Sequence, residues 1–259
     1  MELGIKGKRI LITGGSRGIG AAIARDFVAE GCKVSIVSRN EENLKQKIND
    51  IGGKSQGHEY IVSNLREKGE PTRVVEELIA RHKKIDIVVH NVGGGLGLKN
   101  PLGKVEDWNA VWQFNVGIAV EMNAVLIPLM KKQGWGRVVH VSSINGELGD
   151  PSMESLQGSL PYAAAKAYLN AYIKGLGSEL AKDNIVVSGV MPGVVLSKGK
   201  YWDKLNDENP ERVNQFLHQY YPIGRFAAAE EISPFVLLLA SERASFAAGS
   251  IIPISGGRV

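Results

Sequence analysis

Short, almost wholly apolar runs alternate along the chain with longer stretches in which apolar residues recur at helical spacing. Runs such as RVVHVS and IVVSGV carry apolar residues at successive positions, as is typical of parallel strands covered on both faces. The runs predict strands near residues 8–13, 33–38, 57–62, 85–90, 136–142, 185–190 and 250–254. The stretches between them predict helices near 18–30, 41–51, 68–83, 105–132, 161–182 and 229–241.

Regular alternation of strand and helix predicts an α/β fold of the Rossmann type, a doubly wound parallel sheet of about seven strands with helices on both faces. We find no Pro/Ser-rich linker, so residues 1–259 are expected to form a single domain. Residues 197–224 depart from the alternation because they are polar and rich in aromatic side chains. A connection of that length is usually a functional lid or a disordered insert, and the aromatic residues favour a lid.

Composition narrows the class of protein. With 44% hydrophobic and 22% charged residues and a net charge of +4, the chain resembles an ordinary soluble protein without a nucleic-acid-binding charge block. The single cysteine, Cys32, cannot form an internal disulfide, which is consistent with a reducing cytoplasm. We also expect no signal peptide and no membrane-spanning stretch. No metal site is expected either, because the five histidines lack metal-ligand spacing.

The first strand leads into the glycine turn TGGSRGIG at residues 13–20. Between a strand and a helix, such a turn directs backbone N–H groups and the helix dipole at an anion. Its spacing, G-x-x-x-G-x-G, differs from the usual dinucleotide pattern G-x-G-x-x-G, and it contains a cation, Arg17. Taken alone, the motif is compatible with either a nucleotide site or a tight structural turn.

The end of the second strand indicates which nucleotide would bind. An acidic residue there bonds the ribose 2′-hydroxyl in NAD-selective proteins, whereas this chain has Ser38 and Arg39. Arg39 can hold a 2′-phosphate with charge-assisted hydrogen bonds, Ser38 can add a hydroxyl, and Arg17 could reach the same phosphate. The alternative is that both arginines are solvated surface residues. We favour NADP(H) as the cofactor.

Candidate catalytic side chains lie in the second half of the chain. Tyr162 and Lys166 are four residues apart and share a helix face. A lysine ammonium at about 4 Å is worth roughly 4 kcal/mol at an effective dielectric near 20, which could lower the tyrosine pKa by up to about three units. Such a phenol could exchange a proton with an alcohol oxygen. Ser142 and Ser143 end a strand at the same predicted edge, and Asn115 is a polar residue in an apolar helix.

These motifs resemble those of the short-chain dehydrogenase/reductase family and occur along the chain in the order found in that family. The resemblance covers essentially the whole chain. TGGSRGIG resembles the cofactor loop of that family, HNVGG its N-N-A-G segment, YAAAK its Y-x-x-x-K pair and MPGVVLS its P-G-x-x-x-T segment. The chain is similar to NADP-preferring members of the 3-oxoacyl-acyl-carrier-protein reductase type.

The resemblance implies a catalytic tetrad. Tyr162 would be the general acid and base, Ser143 would polarise the carbonyl, Lys166 would hold the nicotinamide ribose, and Asn115 would position a water. More residues than usual separate the serine from the tyrosine, so Ser142 remains the alternative to Ser143. The cofactor-binding residues expected from the motifs and the resemblance are Gly14, Ser16, Arg17, Gly18, Ile19, Gly20, Ser38, Arg39, Asn64, Leu65, Asn91, Gly93, Tyr162, Lys166, Pro192, Gly193, Val195 and Ser197.

Three loops are expected to form the substrate pocket: residues 93–103, the insert 144–161 and the lid 197–224. The substrate would be a small, sugar-like or secondary-metabolite ketone or the corresponding alcohol. One alternative is a 3-oxoacyl thioester on acyl carrier protein, for which Lys131, Lys132 and Arg137 offer a weak basic docking surface. Another is a non-catalytic NADP sensor. The resemblance also implies a homotetramer or homodimer packed through the helices that carry Asn115 and Tyr162.

Overall fold

Seven strands form one parallel sheet in the order β3-β2-β1-β4-β5-β6-β7. The computed structural model describes residues 2–148, 159–199 and 201–258. The strands are β1 Arg9–Thr13, β2 Lys33–Ser38, β3 Glu59–Val62, β4 Ile87–His90, β5 Gly136–Val141, β6 Ile185–Pro192 and β7 Ile251–Ile254. Each begins and ends within two residues of its predicted position, and the predicted fold class is confirmed.

Helices connect the strands and cover both faces of the sheet. They are α1 Gly18–Ala29, α2 Glu41–Asp50, α3 Glu70–His82, α4 Val105–Trp112, α5 Ile118–Gln133, α6 Asn145–Leu148, α7 Leu160–Leu180, α8 Tyr201–Glu208, α9 Pro210–Tyr220 and α10 Ser233–Leu239. A π-helical turn, Gln113–Gly117, joins α4 to α5. The segment predicted as a lid contains two helices, α8 and α9, that the sequence reading did not identify.

Alternate side chains of the strands divide the core into two layers. Ile10 and Ile12 of β1 pack with α1, α2 and α10, whereas Leu11 points to the layer of α3, α5 and α7. A smaller cluster, which includes Val213 and Phe216 of α9, holds the lid together. Burial of both faces explains why the strand sequences are apolar at successive positions.

The helical run Val105–Gln133 is long and apolar enough to cross a membrane by length and composition alone. By length and composition, the expectation that the longest apolar stretches are too short or too interrupted to span a membrane is therefore wrong for this run. Half of the most apolar window is buried within the protein, and Met122, Leu126 and Met130 lie in the core layer beneath the sheet. Core helices of globular proteins commonly combine these properties, so the run is explained by its packing.

The strand order positions the functional site. From β1 the chain proceeds outward through β2 to β3 and then returns to place β4 on the other side of β1. In open parallel sheets, ligands bind outside the carboxyl ends of the strands at such a reversal. The glycine turn follows β1 and the HNVGG segment ends β4, so both lie at this crevice.

Candidate active site

Close packing explains the glycines of the turn after β1. Gly14 and Gly18 have φ angles of +70° and +56°, a region that favours glycine. A Cβ on Gly20 would lie 2.4 Å from the Gly14 carbonyl oxygen, so no side chain fits there. Arg17 is the N-cap of α1, and the N-terminus of that helix opens onto a cleft of about 290 Å³. The turn therefore presents a helix N-terminus to any ligand in the cleft.

The segment after β4 is hydrogen-bonded to the end of β1. The Thr13 hydroxyl oxygen accepts hydrogen bonds from the backbone N–H groups of Asn91 at 2.9 Å and Val92 at 3.1 Å. The Asn91 amide donates to the Thr13 carbonyl at 3.0 Å. These contacts join β1 to β4 at the strand reversal, where the glycine turn leaves the sheet.

Cationic side chains surround one end of the cleft. Arg17 and Arg39 are exposed and line it together with Ser38, whose hydroxyl lies 3.2 Å from that of Ser16. Within residues 2–148, 159–199 and 201–258, the structure gives neither arginine an acidic partner. Arg66, which the sequence reading missed, lines the same cleft, with its guanidinium 5.6 Å from the ring centroid of Phe114. Three arginines therefore line this cleft, and their positive charge suits a phosphate-bearing ligand.

Two further predicted residues lie on the wall opposite the glycine turn. Asn64 and Leu65 follow β3 and line the cleft, and the Asn64 amide is held by a 2.9 Å hydrogen bond that it donates to Glu67. Ser197 approaches the turn from the other direction, since a Cβ on Gly18 would be 2.8 Å from its hydroxyl oxygen. Asn64, Leu65 and Ser197 thus line the same cleft as the glycine turn.

A second cavity of about 230 Å³ continues the cleft towards the middle of the sheet edge. It shares Ile19, Asn91 and Gly93 with the first. The other predicted residues that line it are Tyr162, Lys166, Pro192, Gly193 and Val195. All the predicted cofactor-binding residues thus line one of the two cavities, except Gly20, which packs beneath the turn.

Tyr162 and Ser143 both line this second cavity, next to each other. Tyr162 lies in the first turn of α7, directly after Pro161, a residue that suits the start of a helix. Ser143 follows β5 at the sheet edge. Burial raises the pKa of the Tyr162 phenol, and a hydrogen bond with Ser143 partly opposes that effect. The phenol is therefore protonated at neutral pH, as a proton donor must be.

Lys166 lies one turn further along α7 and is buried. Its ammonium nitrogen donates a 2.9 Å hydrogen bond to the Val141 carbonyl and lies 5.7 Å from the centroid of the Tyr162 ring. Burial lowers the pKa of Lys166 to about 7. The predicted net lowering of the Tyr162 pKa by up to three units is therefore wrong, because burial has the larger effect and raises it. Burial dominates at both residues, and the lysine is only partly charged at neutral pH.

The two adjacent serines differ in their partners. The Ser142 hydroxyl donates a 2.6 Å hydrogen bond to the Asn170 side chain, whose amide group in turn contacts the sulfur of Met191. Ser143 instead lines both the second cavity and the neighbouring substrate-sized cavity, next to Tyr162. The geometry therefore favours Ser143 for contact with a substrate oxygen.

Asn115 lies behind the cavities, within the π-helical turn. Its side chain accepts a hydrogen bond from the Gly94 N–H at 3.0 Å and donates to the carbonyls of Gly94 at 2.9 Å and Val111 at 2.8 Å. A Cβ on Gly93 would be 2.5 Å from the Asn115 side-chain oxygen. Asn115 thus fixes the loop that borders the site. That it positions a water stays a prediction.

A third cavity, of about 400 Å³, opens beside Tyr162 and has the properties of a substrate pocket. All three predicted loops contribute: Leu96 and Lys99 from residues 93–103, Asn145 from the insert, and Trp202 from the lid. Trp202 also lines the second cavity, so it stands where the two meet. Residues 149–158 of the predicted insert and residue 200 of the lid lie outside the described residues.

His90 and His140 form a buried pair in the core close to Lys166. Their rings stack at 4.8 Å between centroids, and His90 is hydrogen-bonded to the Asn123 side chain at 2.9 Å. Burial lowers the pKa of His90 to about 4 and that of His140 well below its ordinary value. Both are therefore neutral near pH 7. In the part of the chain that the structure describes, no cluster of His, Cys, Asp or Glu could hold a metal ion.

Comparisons with known proteins agree with this geometry. The sequence profile of the short chain dehydrogenase family matches residues 8–208. The chain is 32% identical over 255 residues to the 3-oxoacyl-acyl-carrier-protein reductase of Thermotoga maritima, with 98% of this chain and 99% of the relative covered. The corresponding Escherichia coli enzyme is 31% identical over 258 residues, and the match covers 98% of each chain.

Solved structures of two reductases are also similar to this chain over nearly its whole length. L-sorbose reductase from Gluconobacter frateurii, complexed with NADPH and L-sorbose, superposes with a TM-score of 0.89 at 30% identity, covering 100% of this chain and 98% of that one. A 3-oxoacyl-acyl-carrier-protein reductase from Agrobacterium tumefaciens with NADP bound has a TM-score of 0.89 at 28% identity, covering 99% and 96% of the two chains.

Proposed function

The chain belongs to the short-chain dehydrogenase/reductase family of oxidoreductases, and we propose that it interconverts a ketone and a secondary alcohol with NADP(H) as cofactor. The observation that carries the proposal is the position of Tyr162. This residue lies where the cofactor cleft meets the substrate-sized cavity, between Ser143 and Lys166.

The side chains that line the cleft are themselves suited to NADP(H). The glycine turn presents a helix N-terminus to a pyrophosphate, and Arg17 and Arg39, which line the cleft with Ser38, offer positive charge for a 2′-phosphate. An acidic side chain at the end of β2 would bond the hydroxyl of NAD instead, and this chain has none there. The solved relatives that hold NADPH or NADP support the same cofactor.

In the proposed reduction, Ser143 donates a hydrogen bond to the substrate carbonyl oxygen and so stabilises the charge that develops there. Tyr162 donates its phenol proton to that oxygen, and in the reverse direction it accepts the proton from the alcohol. The bound nicotinamide supplies the hydride to the carbonyl carbon when a ketone is reduced. Each turnover consumes one NADPH and one proton, which returns to Tyr162 from solvent.

Lys166 has two parts in the proposal. Its side chain lines the cavity where the nicotinamide ribose would lie, and it can donate hydrogen bonds to ribose hydroxyls. When protonated, it also stabilises the phenolate that Tyr162 becomes after giving up its proton. A pKa of about 7 lets Lys166 lose or regain a proton at neutral pH, so it can take part in returning the proton to Tyr162.

Two classes of ketone fit the comparisons. Reduction of 3-oxoacyl thioesters on acyl carrier protein is favoured by the relatives at 31–34% identity. Reduction of a small, sugar-like ketone is favoured by the structural relative that holds L-sorbose. Of the basic residues expected to dock the carrier protein, Arg137 is 1% exposed and Lys131 is paired with Asp183 at 2.7 Å. This surface is therefore poorer than the sequence indicates, and we prefer the small ketone.

We further propose a cytoplasmic homotetramer or homodimer in which copies pack through α4, α5 and α7. Tyr168 on the outer side of α7 is 52% exposed, and its ring meets the edge of Trp112 on α4 at 5.8 Å. An exposed tyrosine beside a half-buried tryptophan on these helices suits an interface between copies. Light scattering on the purified protein tests this, and a monomer at micromolar concentration would contradict it.

The experiment for the proposed function follows oxidation of NADPH by the purified protein with a panel of small ketones, ketoses and 3-oxoacyl thioesters. We expect turnover with NADPH that exceeds turnover with NADH by at least about tenfold in kcat/KM, since the 2′-phosphate gains charge-assisted hydrogen bonds. Tight NADPH binding without turnover of any ketone would favour a sensor and contradict the proposal.

A further inference from the structure

Asn145 has an unusual position in the substrate-sized cavity. It is the first residue of α6, is only 4% exposed, and lines the cavity with Ser143 and Tyr162. Among the described residues, its side-chain oxygen is buried without a hydrogen-bond partner. A buried amide oxygen in this condition has lost its water without replacing it.

Neighbouring polar groups around the site do have partners. The Ser142 hydroxyl donates to Asn170 at 2.6 Å, the Asn115 amide is paired with Gly94, and the Ser159 hydroxyl donates to the Leu98 carbonyl at 2.7 Å. These three side chains are therefore satisfied within the protein. The unpaired side-chain oxygen of Asn145 points to a partner that arrives with the substrate.

The backbone holds Asn145 firmly in this place. Its N–H donates to the Ser143 hydroxyl oxygen at 3.3 Å. The next residue, Gly146, lies so close to α7 that a Cβ there would be 2.6 Å from the backbone carbon of Lys166. Because α6 is packed against the helix that carries the catalytic pair, the amide stays at a fixed position beside the reacting carbonyl.

We propose that Asn145 is a specificity-determining residue that binds a hydroxyl group on the carbon next to the substrate carbonyl, so that the enzyme reduces α-hydroxy ketones. A hydroxyl can donate to the side-chain oxygen and accept from the side-chain nitrogen of the amide. A methylene group does neither, and a thioester carbonyl cannot donate to the unpaired oxygen. Asn145 follows Ser143 by two residues, which places the proposed contact adjacent to the carbonyl oxygen bound by that serine.

The proposal rests on the proposed ketone reduction, in which the carbonyl carbon receives hydride from NADPH and the oxygen receives a proton from Tyr162. It adds a statement about the neighbouring carbon only. The product would be a vicinal diol, formed with oxidation of one NADPH.

Hydroxyacetone and 2-butanone provide a matched pair, since they differ by a hydroxyl in place of a methyl group. We expect the wild-type enzyme to prefer hydroxyacetone by at least about 30-fold in kcat/KM, because a site built to bond a hydroxyl rejects an analogue without one. In Asn145→Leu and Asn145→Ala the preference should fall below about threefold, mainly through slower reduction of hydroxyacetone. Ser159→Ala is the control, since that hydroxyl is already bonded to the protein, and it should keep the preference.

Equal kcat/KM values for the two ketones in the wild-type enzyme would overturn the role of Asn145 and leave the proposed ketone reduction standing. A preference that survives both substitutions of Asn145 would also overturn it. Failure of the NADPH-bound wild-type enzyme to reduce either ketone, or any other in the panel, would overturn the proposed function and this inference with it.

Discussion

Replacement of Lys166 by methionine should stabilise the protein while removing its activity. The lysine is buried, and its pKa of about 7 compares with an ordinary value of 10.5. A difference of 3.5 units, at about 1.4 kcal/mol per unit, means that the protonated side chain costs about 5 kcal/mol in the folded state. Methionine keeps the length and the apolar contacts of the side chain without the charge.

Loss of one hydrogen bond offsets part of this gain. The Lys166 ammonium donates to the Val141 carbonyl, and a buried carbonyl left without a donor costs about 1–3 kcal/mol. The free energy of unfolding of Lys166→Met should therefore exceed that of the wild type by about 2–4 kcal/mol below pH 7.

The pH dependence of this stability difference shows whether the buried charge of Lys166 is its cause. Between pH 7 and 10.5 the unfolded wild type binds more protons at this residue than the folded protein does, so its stability rises with pH. The advantage of the variant should shrink by about 2–3 kcal/mol between pH 7 and pH 9. Below pH 7 the lysine is charged in both states, and the advantage should be constant.

Urea unfolding followed by circular dichroism at pH 6, 7 and 9 provides the assay. Lys174→Met is the control, because Lys174 is an exposed residue of the same helix. Its substitution should change stability by less than about 0.5 kcal/mol at each pH. A difference between Lys166→Met and the wild type that does not vary with pH would refute the reasoning, as would a variant that is less stable throughout.

Four further substitutions test other parts of the site. Arg39→Asp should weaken the binding of NADPH by roughly 100-fold and that of NADH by much less, because it replaces a charge-assisted hydrogen bond by repulsion. Equal losses of affinity for the two cofactors in a calorimetric titration would contradict the 2′-phosphate site. Ser143→Ala should lower kcat by about 100-fold or more, whereas Ser142→Ala should instead lower the free energy of unfolding by about 1–3 kcal/mol; the reverse pattern would reassign the serine. His90 has a pKa of about 4 in the folded protein, so the wild type should lose about 3 kcal/mol as the pH falls from 6.5 to 4. His90→Asn should reduce that loss in urea unfolding, and an unchanged pH slope would show that the buried ring is not its source.

The sheet and the glycine turn could be predicted because their signals are local. Strands buried on both faces are apolar at successive positions, and the turn after β1 needs glycine wherever a Cβ would meet backbone, as at Gly20. The pairing of Tyr162 with Lys166 follows from helical spacing alone. The lid helices α8 and α9 were missed because their polar, aromatic sequence indicates a loop until Trp202 and Phe216 are seen packed together.

Properties that depend on tertiary packing could not be predicted. Arg66 joins the cleft only because β3 and the π-helical turn that carries Phe114 are brought together in space. The directions in which the Tyr162 and Lys166 pKa values shift depend on burial, and the spacing of two residues in the sequence gives no information about burial. Asn145 lacks any motif, and its importance is visible only when its unpaired side-chain oxygen is found in the substrate cavity.

The central claim is that Tyr162 transfers the proton in an NADP(H)-dependent ketone reduction. Its most direct test is the single-turnover rate of nicotinamide oxidation by NADPH-loaded Tyr162→Phe, with the NADPH dissociation constant measured on the same preparation. The account predicts a rate at least about 1,000-fold below that of the wild type, in the range of lost general acid catalysis, with NADPH affinity within about twofold. A rate within about tenfold of the wild type, with NADPH bound normally, would contradict it.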